Sequence, residues 1–442
     1  MNAGDLESGA AAYAKRRARL AAAVGGGIAV VPTAPERARN RDTHYPYRYD
    51  SYFYYLTGFA EPGSVLVLAG GEAPRTILFC RERNAEREIW DGFRHGPDGA
   101  RERFGFDEAY PIDELDARLP ALLADRPALW YPVGADGEWD ARVMRWLNAV
   151  RTQARAGVAA PAELHDVRAP LDDMRLVKDA AELALMRRAG EISGAAHRRA
   201  MLAARPGANE YEVEAELLYE FRRRGAQFPA YWPIVAGGAN ACVLHYVQND
   251  APLADGALLL IDAGCELHGY ASDITRSFPV NGRFSGAQRA VYEVVLAAQR
   301  AAMDKVRAGV AWNEPHDAAV RVLAQGMIDL KLLAGSLDAV LEQEAYKRFY
   351  MHRTGHWLGL DVHDAGEYKH AGAWRTLEPG MTLTVEPGLY IRAADDVPPA
   401  LRDIGVRIED DVVVTPGECE VLTAAAPKAI GEIEALIRDG RR

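Results

Sequence analysis

The run Leu258-Leu-Leu-Ile-Asp262-Ala-Gly-Cys-Glu-Leu-His-Gly-Tyr-Ala-Ser-Asp273-Ile-Thr-Arg276 decides how this chain is read. Its first four apolar residues predict a buried strand, and that strand ends on an aspartate. A second strand over 271–280 carries another aspartate near its start. A hairpin turning on Leu267-His268, with Glu266 opposite Gly269, would set Asp262 directly across from Asp273. Their Cβ atoms would then lie about 5 Å apart on one face. Two like charges so placed repel each other unless positive charge intervenes.

The same pattern recurs downstream. In Thr382-Leu-Thr-Val-Glu386, the threonines and the glutamate share one face while Leu383 and Val385 take the other. In Val406-Arg-Ile-Glu409, Arg407 and Glu409 share a face, so four strands are each expected to present one carboxylate. Between them runs His352-Arg-Thr-Gly-His356-Trp-Leu-Gly-Leu-Asp-Val-His363-Asp364, rich in imidazoles that ligate metals near neutral pH. Four buried carboxylates are prohibitive without compensation, so protons or cations must accompany them. Two divalent ions cancel that charge, and oxygen ligands with one imidazole suit Mn²⁺. Two such ions about 3.5–4 Å apart can hold a bridging hydroxide that is nucleophilic at neutral pH.

Outward from this region the chain has two styles. The first ~170 residues alternate strand-like and helix-like runs, which predicts an α/β layer domain. Ser64-Val-Leu-Val-Leu68 and Thr76-Ile-Leu-Phe79 read as buried strands, and Asp116 to Leu123 as a short helix broken by Pro120. Arg168-Ala-Pro-Leu171 reads as a linker because Pro170 interrupts regular structure, giving expected domains 1–172 and 173–442. In the second region, Leu185, Ala189, Ile192 and Ala196 fall on one helical face. Asn209-Glu-Tyr-Glu212 and Ser285-Gly-Ala-Gln288 are capping boxes that open two further helices. Helices followed by antiparallel strands, twice over, predict an α+β domain of two related halves.

Composition narrows the function. The chain has 442 residues, 49% apolar and 26% charged, enough to bury a large core. Its net charge of −11 argues against a nucleic-acid partner. Cys80, Cys242, Cys265 and Cys419 form no C-x-x-C, which argues for a reducing, cytoplasmic setting. Lys15-Arg16-Arg17 before the uncharged stretch from Leu20 faintly echoes a leader, but Asp5 and Glu7 precede it and three glycines split it. We read it as helix, turn and strand, and no segment has the ~20 apolar residues of a membrane span.

At these residues the chain resembles the metallopeptidases of the pita-bread (creatinase/aminopeptidase) fold, specifically the aminopeptidase P family. The resemblance is carried by Gly-Gly-Ala-Asn-Ala-Cys-Val-Leu-His245-Tyr, the Asp262/Asp273 pair, His356-x(6)-His363-Asp, Val-Glu386-Pro-Gly-Leu-Tyr390 and Arg407-Ile-Glu409-Asp. Arg39-Asn-Arg-Asp42, Tyr45-Pro-Tyr-Arg48 and Tyr55-Leu-Thr-Gly-Phe59 look like the non-catalytic amino-terminal domain of that family. The resemblance implies that Asp262, Asp273, His356, Glu386 and Glu409 ligate two divalent ions, with Asp273 and Glu409 bridging. It implies catalytic or substrate-contacting roles for His245 and His363, a proton-relay role for Glu386, and for Arg407 a pairing with a ligand carboxylate. Tyr231, Trp232, Trp357 and Tyr390 are candidates to hold a proline ring, and His352 to line or buttress the site. Trp90, in Glu-Ile-Trp-Asp-Gly, is a candidate to reach an active site, including that of a neighbouring subunit.

The implied activity is hydrolysis of the bond between a first residue and a following proline, by a homodimer or homotetramer acting on peptides with proline second. A prolidase shares the five ligands, and the extensive amino-terminal match favours the aminopeptidase. A non-catalytic peptide-binding module of the same fold is the alternative from a different class, and the intact ligand set counts against it. There is no G-x-S-x-G, H-E-x-x-H or phosphate-loop lysine to support another hydrolase.

Overall fold

In the computed structural model, residues 3–441 are described, with side chains from residue 10 onward, so the side chains of Asp5 and Glu7 fall outside the described ones. The chain divides between Arg175 and Leu176 into two compact units.

The first unit is built on a six-stranded mixed sheet. Its order is Glu108–Pro111, Arg75–Cys80, Val65–Ala69, Ile28–Pro32, Ala128–Tyr131, Glu163–Asp166. Val65–Ala69 is buried along its whole length, as a central strand covered on both faces must be. It pairs antiparallel with both neighbours, while the outer pairings are parallel. Helices Leu115–Leu123 and Gly137–Arg151 lay Leu115, Leu119, Leu123, Val143 and Leu147 against this sheet. The proline at 120 does not break its helix, which runs on to Leu123. A proline in so short a helix removes only the one backbone bond its own N–H would make. Likewise Arg168–Leu176 is a helix and not a linker. Pro170 sits in the first turn, where an absent N–H leaves no helical bond unmade.

The second unit repeats one plan. Helices Ala180–Ala203 and Glu210–Arg223 precede a first group of strands, and Gly286–Met303 and Glu314–Asp329 precede a second. Both expected capping boxes form, at Asn209 with Glu212 and at Ser285 with Gln288. Leu258–Asp262 lies between Ile234–Gly237 and Thr275–Pro279, Thr382–Val385 pairs with Asp410–Val413, and Gly388–Ile391 pairs with Ile404–Arg407. The main core is a cluster in which Ile192, Leu217, Val291 and Leu323 of the helices meet Ile261, Leu383 and Val406 of the strands, with a smaller one around Ile234, Leu260 and Tyr390.

The hairpin register differs from the expected one. Glu266 pairs with Ala271, Leu267 with Tyr270, and Asp262 lies across from Thr275, not Asp273. A two-residue turn of this hand needs positive φ at both central residues, and His268 (φ 51°) with Gly269 (φ 85°) supplies it where Leu267 would not. A shift of two residues preserves the face, so both aspartates still point the same way. The ladder also breaks at the acids. Asp262 is the last residue of its strand, Asp273 lies between Tyr270–Ala271 and Thr275–Pro279, Glu386 follows Val385, and Glu409 lies between Arg407 and Asp410. Hence three of the four carboxylates stand outside regular strand. At Gly264 a Cβ would collide with the Ser272 carbonyl, so glycine permits the crossing that displaces Asp273 from the ladder.

His197, fully buried on helix Ala180–Ala203, donates Nε2–H to the Ala263 carbonyl at 2.9 Å and so ties that helix to the end of the Asp262 strand. Burial pushes its imidazole down to about 4. The unfolded chain therefore takes up a proton first as pH falls: the stability is fully present above 6.5 and is lost progressively toward 4. Urea unfolding should show the parent losing about 2 kcal/mol more between pH 7 and pH 5 than His197→Gln does. Equal losses in the two proteins would refute this.

Candidate active site

The strand breaks matter because they free the acids to converge. Asp262, Asp273, Glu386, Glu409, His356 and Arg407 all line one cavity of about 750 Å³ in the second unit. The His356 Nε2 lies 3.5 Å from an Asp273 oxygen and 3.8 Å from a Glu386 oxygen. Ligand atoms of Asp273, His356 and Glu409 all fall within 4.8 Å of one another.

Backbone and side-chain bonds hold this arrangement. Glu386 donates its N–H to the Thr354 carbonyl at 2.8 Å, and Glu409 donates to that of Thr275 at 3.1 Å. Thr275 Oγ1 donates to Glu409 Oε2 at 2.6 Å and accepts from Arg407 Nε at 3.0 Å. Arg407 also reaches Asp262 Oδ2 at 2.5 Å and the Tyr390 hydroxyl at 3.0 Å. The Tyr231 hydroxyl donates to Asp262 Oδ1 at 2.6 Å and contacts Asp273. His356 Nδ1 faces the Trp357 carbonyl at 2.9 Å, which directs Nε2 at the acids.

The electrostatics record an excess of negative charge. Burial raises Glu386 to about 7. Burial, then repulsion from Asp273, Glu386 and Asp262, holds Glu409 well above the ordinary range. Asp262 is raised by burial even with Arg407 beside it. Burial opposes ionisation of Asp273 too, but the His356 hydrogen bond and charge outweigh it and hold that carboxyl below its ordinary value. His356 is pulled up to about 9, its burial overcome by Asp273 and Glu386. Clustered carboxylate oxygens with one aimed imidazole nitrogen form a donor set that fits hard divalent cations.

His245, His352 and His363 line the same cavity. The His363 ring stands 4.2 Å from that of His356, and burial followed by the His356 charge lowers it. His352 Nδ1 donates to the Arg353 carbonyl at 2.7 Å, so Nε2 accepts from the Tyr390 hydroxyl at 2.8 Å, and burial drives the ring down to about 3, leaving it neutral. Tyr390 is buried behind His352 and Arg407 and is not among the lining residues, so its placement suits a positioning role better than substrate contact. Trp357 is likewise buried, and Trp232 is exposed away from the lining. Trp90 belongs to the first unit, at the end of helix Ala85–Asp91, and is 80% exposed.

Several contributors were not foreseen from sequence. Trp312, Tyr368 and Trp374 form the aromatic wall. Behind His363, Lys178 Nζ meets Asp364 Oδ2 at 3.0 Å, both side chains only 1% exposed. That pair closes the loop that carries the histidine. Arg276 and Asp410, both fully buried and 2.6 Å apart, lie directly behind Glu409. Asp364 and Asp410 follow their functional neighbours in sequence, which is the one local hint.

The fold and this donor set define a metallopeptidase. The chain belongs to metallopeptidase family M24, whose model matches residues 184–416, and it carries an aminopeptidase P amino-terminal domain matching residues 13–130. It is similar to the Xaa-Pro aminopeptidase of Escherichia coli K12, with 45% identity over 419 residues covering 94% of this chain and 95% of that protein. Among solved structures it resembles Pseudomonas aeruginosa aminopeptidase PepP, with TM-score 0.96, 53% identity and 98% of each chain covered. A zinc-substituted E. coli aminopeptidase P in complex with product aligns with TM-score 0.95 and 44% identity over 98% of this chain and 99% of that one.

Proposed function

We propose that this protein is an Xaa-Pro aminopeptidase, a metallo-exopeptidase that releases the first residue of a peptide whose second residue is proline. The observation that carries this reading is the convergence of Asp262, Asp273, His356, Glu386 and Glu409 on the floor of one cavity. The relatives' names support an aminopeptidase over a prolidase. These five residues would hold two divalent ions, for which the oxygen-rich set favours Mn²⁺. When bound, such ions polarise the scissile carbonyl and make water a nucleophile at neutral pH.

The chain's own groups do the rest. Glu386, at the floor of the cavity among the other acids, takes the nucleophile's proton at a carboxylate oxygen. It then hands that proton to the proline nitrogen, which has no N–H of its own and leaves as an amine. His245 and His363 offer hydrogen bonds to the oxygen on which negative charge develops. Arg407 keeps Asp262 ionised and oriented, and Asp262 faces the substrate's free α-amine. The neutral face of His352, fixed by Tyr390, borders the proline ring. In this reading residues 173–442 carry the chemistry and 1–172 do not.

Assembly belongs to the same proposal. Ile89 (81% exposed), Trp90 (80%) and Phe93 (64%) form an apolar group suited to a neighbouring subunit of a homodimer or homotetramer. No helix among the described residues is long and apolar enough to cross a membrane. All four cysteines are free, which supports a cytoplasmic location.

The test is Mn²⁺-dependent release of X from X-Pro-Y against an X-Ala-Y control. We expect at least tenfold faster release from the proline peptide, roughly the discrimination that one well-filled apolar pocket supplies. Equal rates would overturn the assignment, and sedimentation of the same preparation as a monomer would overturn the oligomer.

A further inference from the structure

The cavity carries opposite charge at its two ends. The acids lie buried on its floor, whereas Lys369 and Arg353, which also line it, are exposed where it opens to solvent. Both cations rest on one indole. Lys369 Nζ lies 4.1 Å from the centre of the Trp374 ring, and the Arg353 guanidinium carbon lies 5.2 Å from it. Lys369 and Trp374 are directly opposed across a short hairpin, Lys369–His370 with Ala373–Trp374, so this contact is part of the backbone register. Arg353 is held from its other side by the Asn313 side-chain oxygen.

Neither cation has a carboxylate partner among the described ion pairs, although other surface arginines of this acidic chain commonly do. Two like charges gathered on one ring repel; the indole face attracts each of them, but no carboxylate among the described ion pairs neutralises either. An anion placed between them would. The amine end of a peptide is drawn to the acids, so the groups following the scissile bond point toward the opening.

Resting on the aminopeptidase reading above, we propose that Lys369, Arg353 and Trp374 form a binding site for a peptide carboxylate one or two residues beyond the proline. That carboxylate is either the C-terminus of a short peptide or an acidic side chain. Trp374 holds the two cations in place, and they make charge-assisted hydrogen bonds to the anion. The site therefore selects short or acidic peptides among those with proline second. Its contribution is to binding, made equally before and during reaction, so it lowers KM and leaves kcat unchanged.

The experiment uses the full Mn²⁺-loaded chain and two peptide pairs. X-Pro-Leu against X-Pro-Leu-amide reads the C-terminal carboxylate, and X-Pro-Glu-amide against X-Pro-Gln-amide reads the side chain. We expect a preference for the carboxylate of roughly three- to tenfold in kcat/KM in at least one pair, the scale of exposed charge pairs, weakened by added salt. The responding pair identifies the source. In Lys369→Gln/Arg353→Gln the preference should fall to within about twofold. If that variant does not fold, Lys369→Gln alone, on the exposed hairpin, should at least halve the preference. A parent that cleaves both members of both pairs equally, or a preference undiminished in the variants, overturns this site while leaving the aminopeptidase reading intact. A parent that cleaves no X-Pro peptide overturns the reading itself.

Discussion

Asp273→Asn should lose at least roughly a thousandfold in kcat/KM on an X-Pro-Y peptide, retain fewer bound divalent ions, and be somewhat less stable than the parent when stripped of metal. The two halves of this expectation have one cause. Asp273 lies among Asp262, Glu386, Glu409 and Asp411, and the charge of Asp273 raises each of the last three and Asp262 as well. Removing one charge from that group relieves this repulsion but also takes away the partner of His356, whose hydrogen bond and charge hold the Asp273 carboxyl below its ordinary value, so the stripped protein loses stability on balance. Asparagine keeps an oxygen for the Tyr231 hydroxyl and leaves the backbone bond from Asp273 N–H to Asp411 Oδ2, at 2.9 Å, in place. What it removes is the anionic oxygen within 4.8 Å of both His356 and Glu409, on which a shared cation site depends. Atomic absorption for metal content, initial rates, and thermal melts of stripped protein check the three parts. Full activity in the variant would refute the site. A stripped melting temperature above the parent's would refute the claim that His356 outweighs the repulsion among the acids.

The burial of these acids is also why they stand out in the sequence. Asp262 and Glu386 each end a run of residues whose neighbours are buried, and an acid in such a place has to be explained by something other than packing. The capping boxes at Asn209 and Ser285 were legible for a similar reason, since a cap is settled within four residues. The hairpin register was not. Placing the turn on Leu267-His268 overlooks that His268-Gly269 is the pair able to take positive φ, and a shift of two moves Asp273 out of opposition to Asp262. The break at Ser272 was missed because 271–280 reads as one continuous strand of suitable composition. Trp312, Trp374 and Lys178 carry no local signal at all. Lys178 meets Asp364 across 186 residues, and a pairing at that separation is created by the fold and is absent from any window of sequence.

Arg276→Met is expected to destabilise the second unit by about 3–5 kcal/mol, the usual cost of breaking a buried ion pair from one side. Arg276 is fully buried, and all five of its N–H donors are used. Nε goes to the Pro427 carbonyl at 3.1 Å. Nη1 goes to the carbonyls of Thr275 at 2.9 Å and Glu409 at 2.5 Å. Nη2 goes to Asp410 Oδ1 at 2.6 Å and to the Ala426 carbonyl at 2.9 Å. Methionine fills much of the volume and satisfies none of these acceptors, so the loss is polar and not a cavity effect. Asp410 would still have Lys428 at 2.6 Å, Gln299 at 3.0 Å and Thr423 at 2.8 Å, which keeps the loss near the lower end of that range. Arg276→Lys, which restores the charge but not the planar fork, should fall between the two proteins. In thermal unfolding the methionine variant should melt roughly 6 °C or more below the parent. The released Glu409 carbonyl adds a second consequence: below its melting point the variant should hold divalent ions roughly tenfold or more weakly, the scale seen when groups behind a ligand are lost. A methionine variant melting within about 1 °C of the parent would show that the guanidinium is not what holds the Glu409 strand in place.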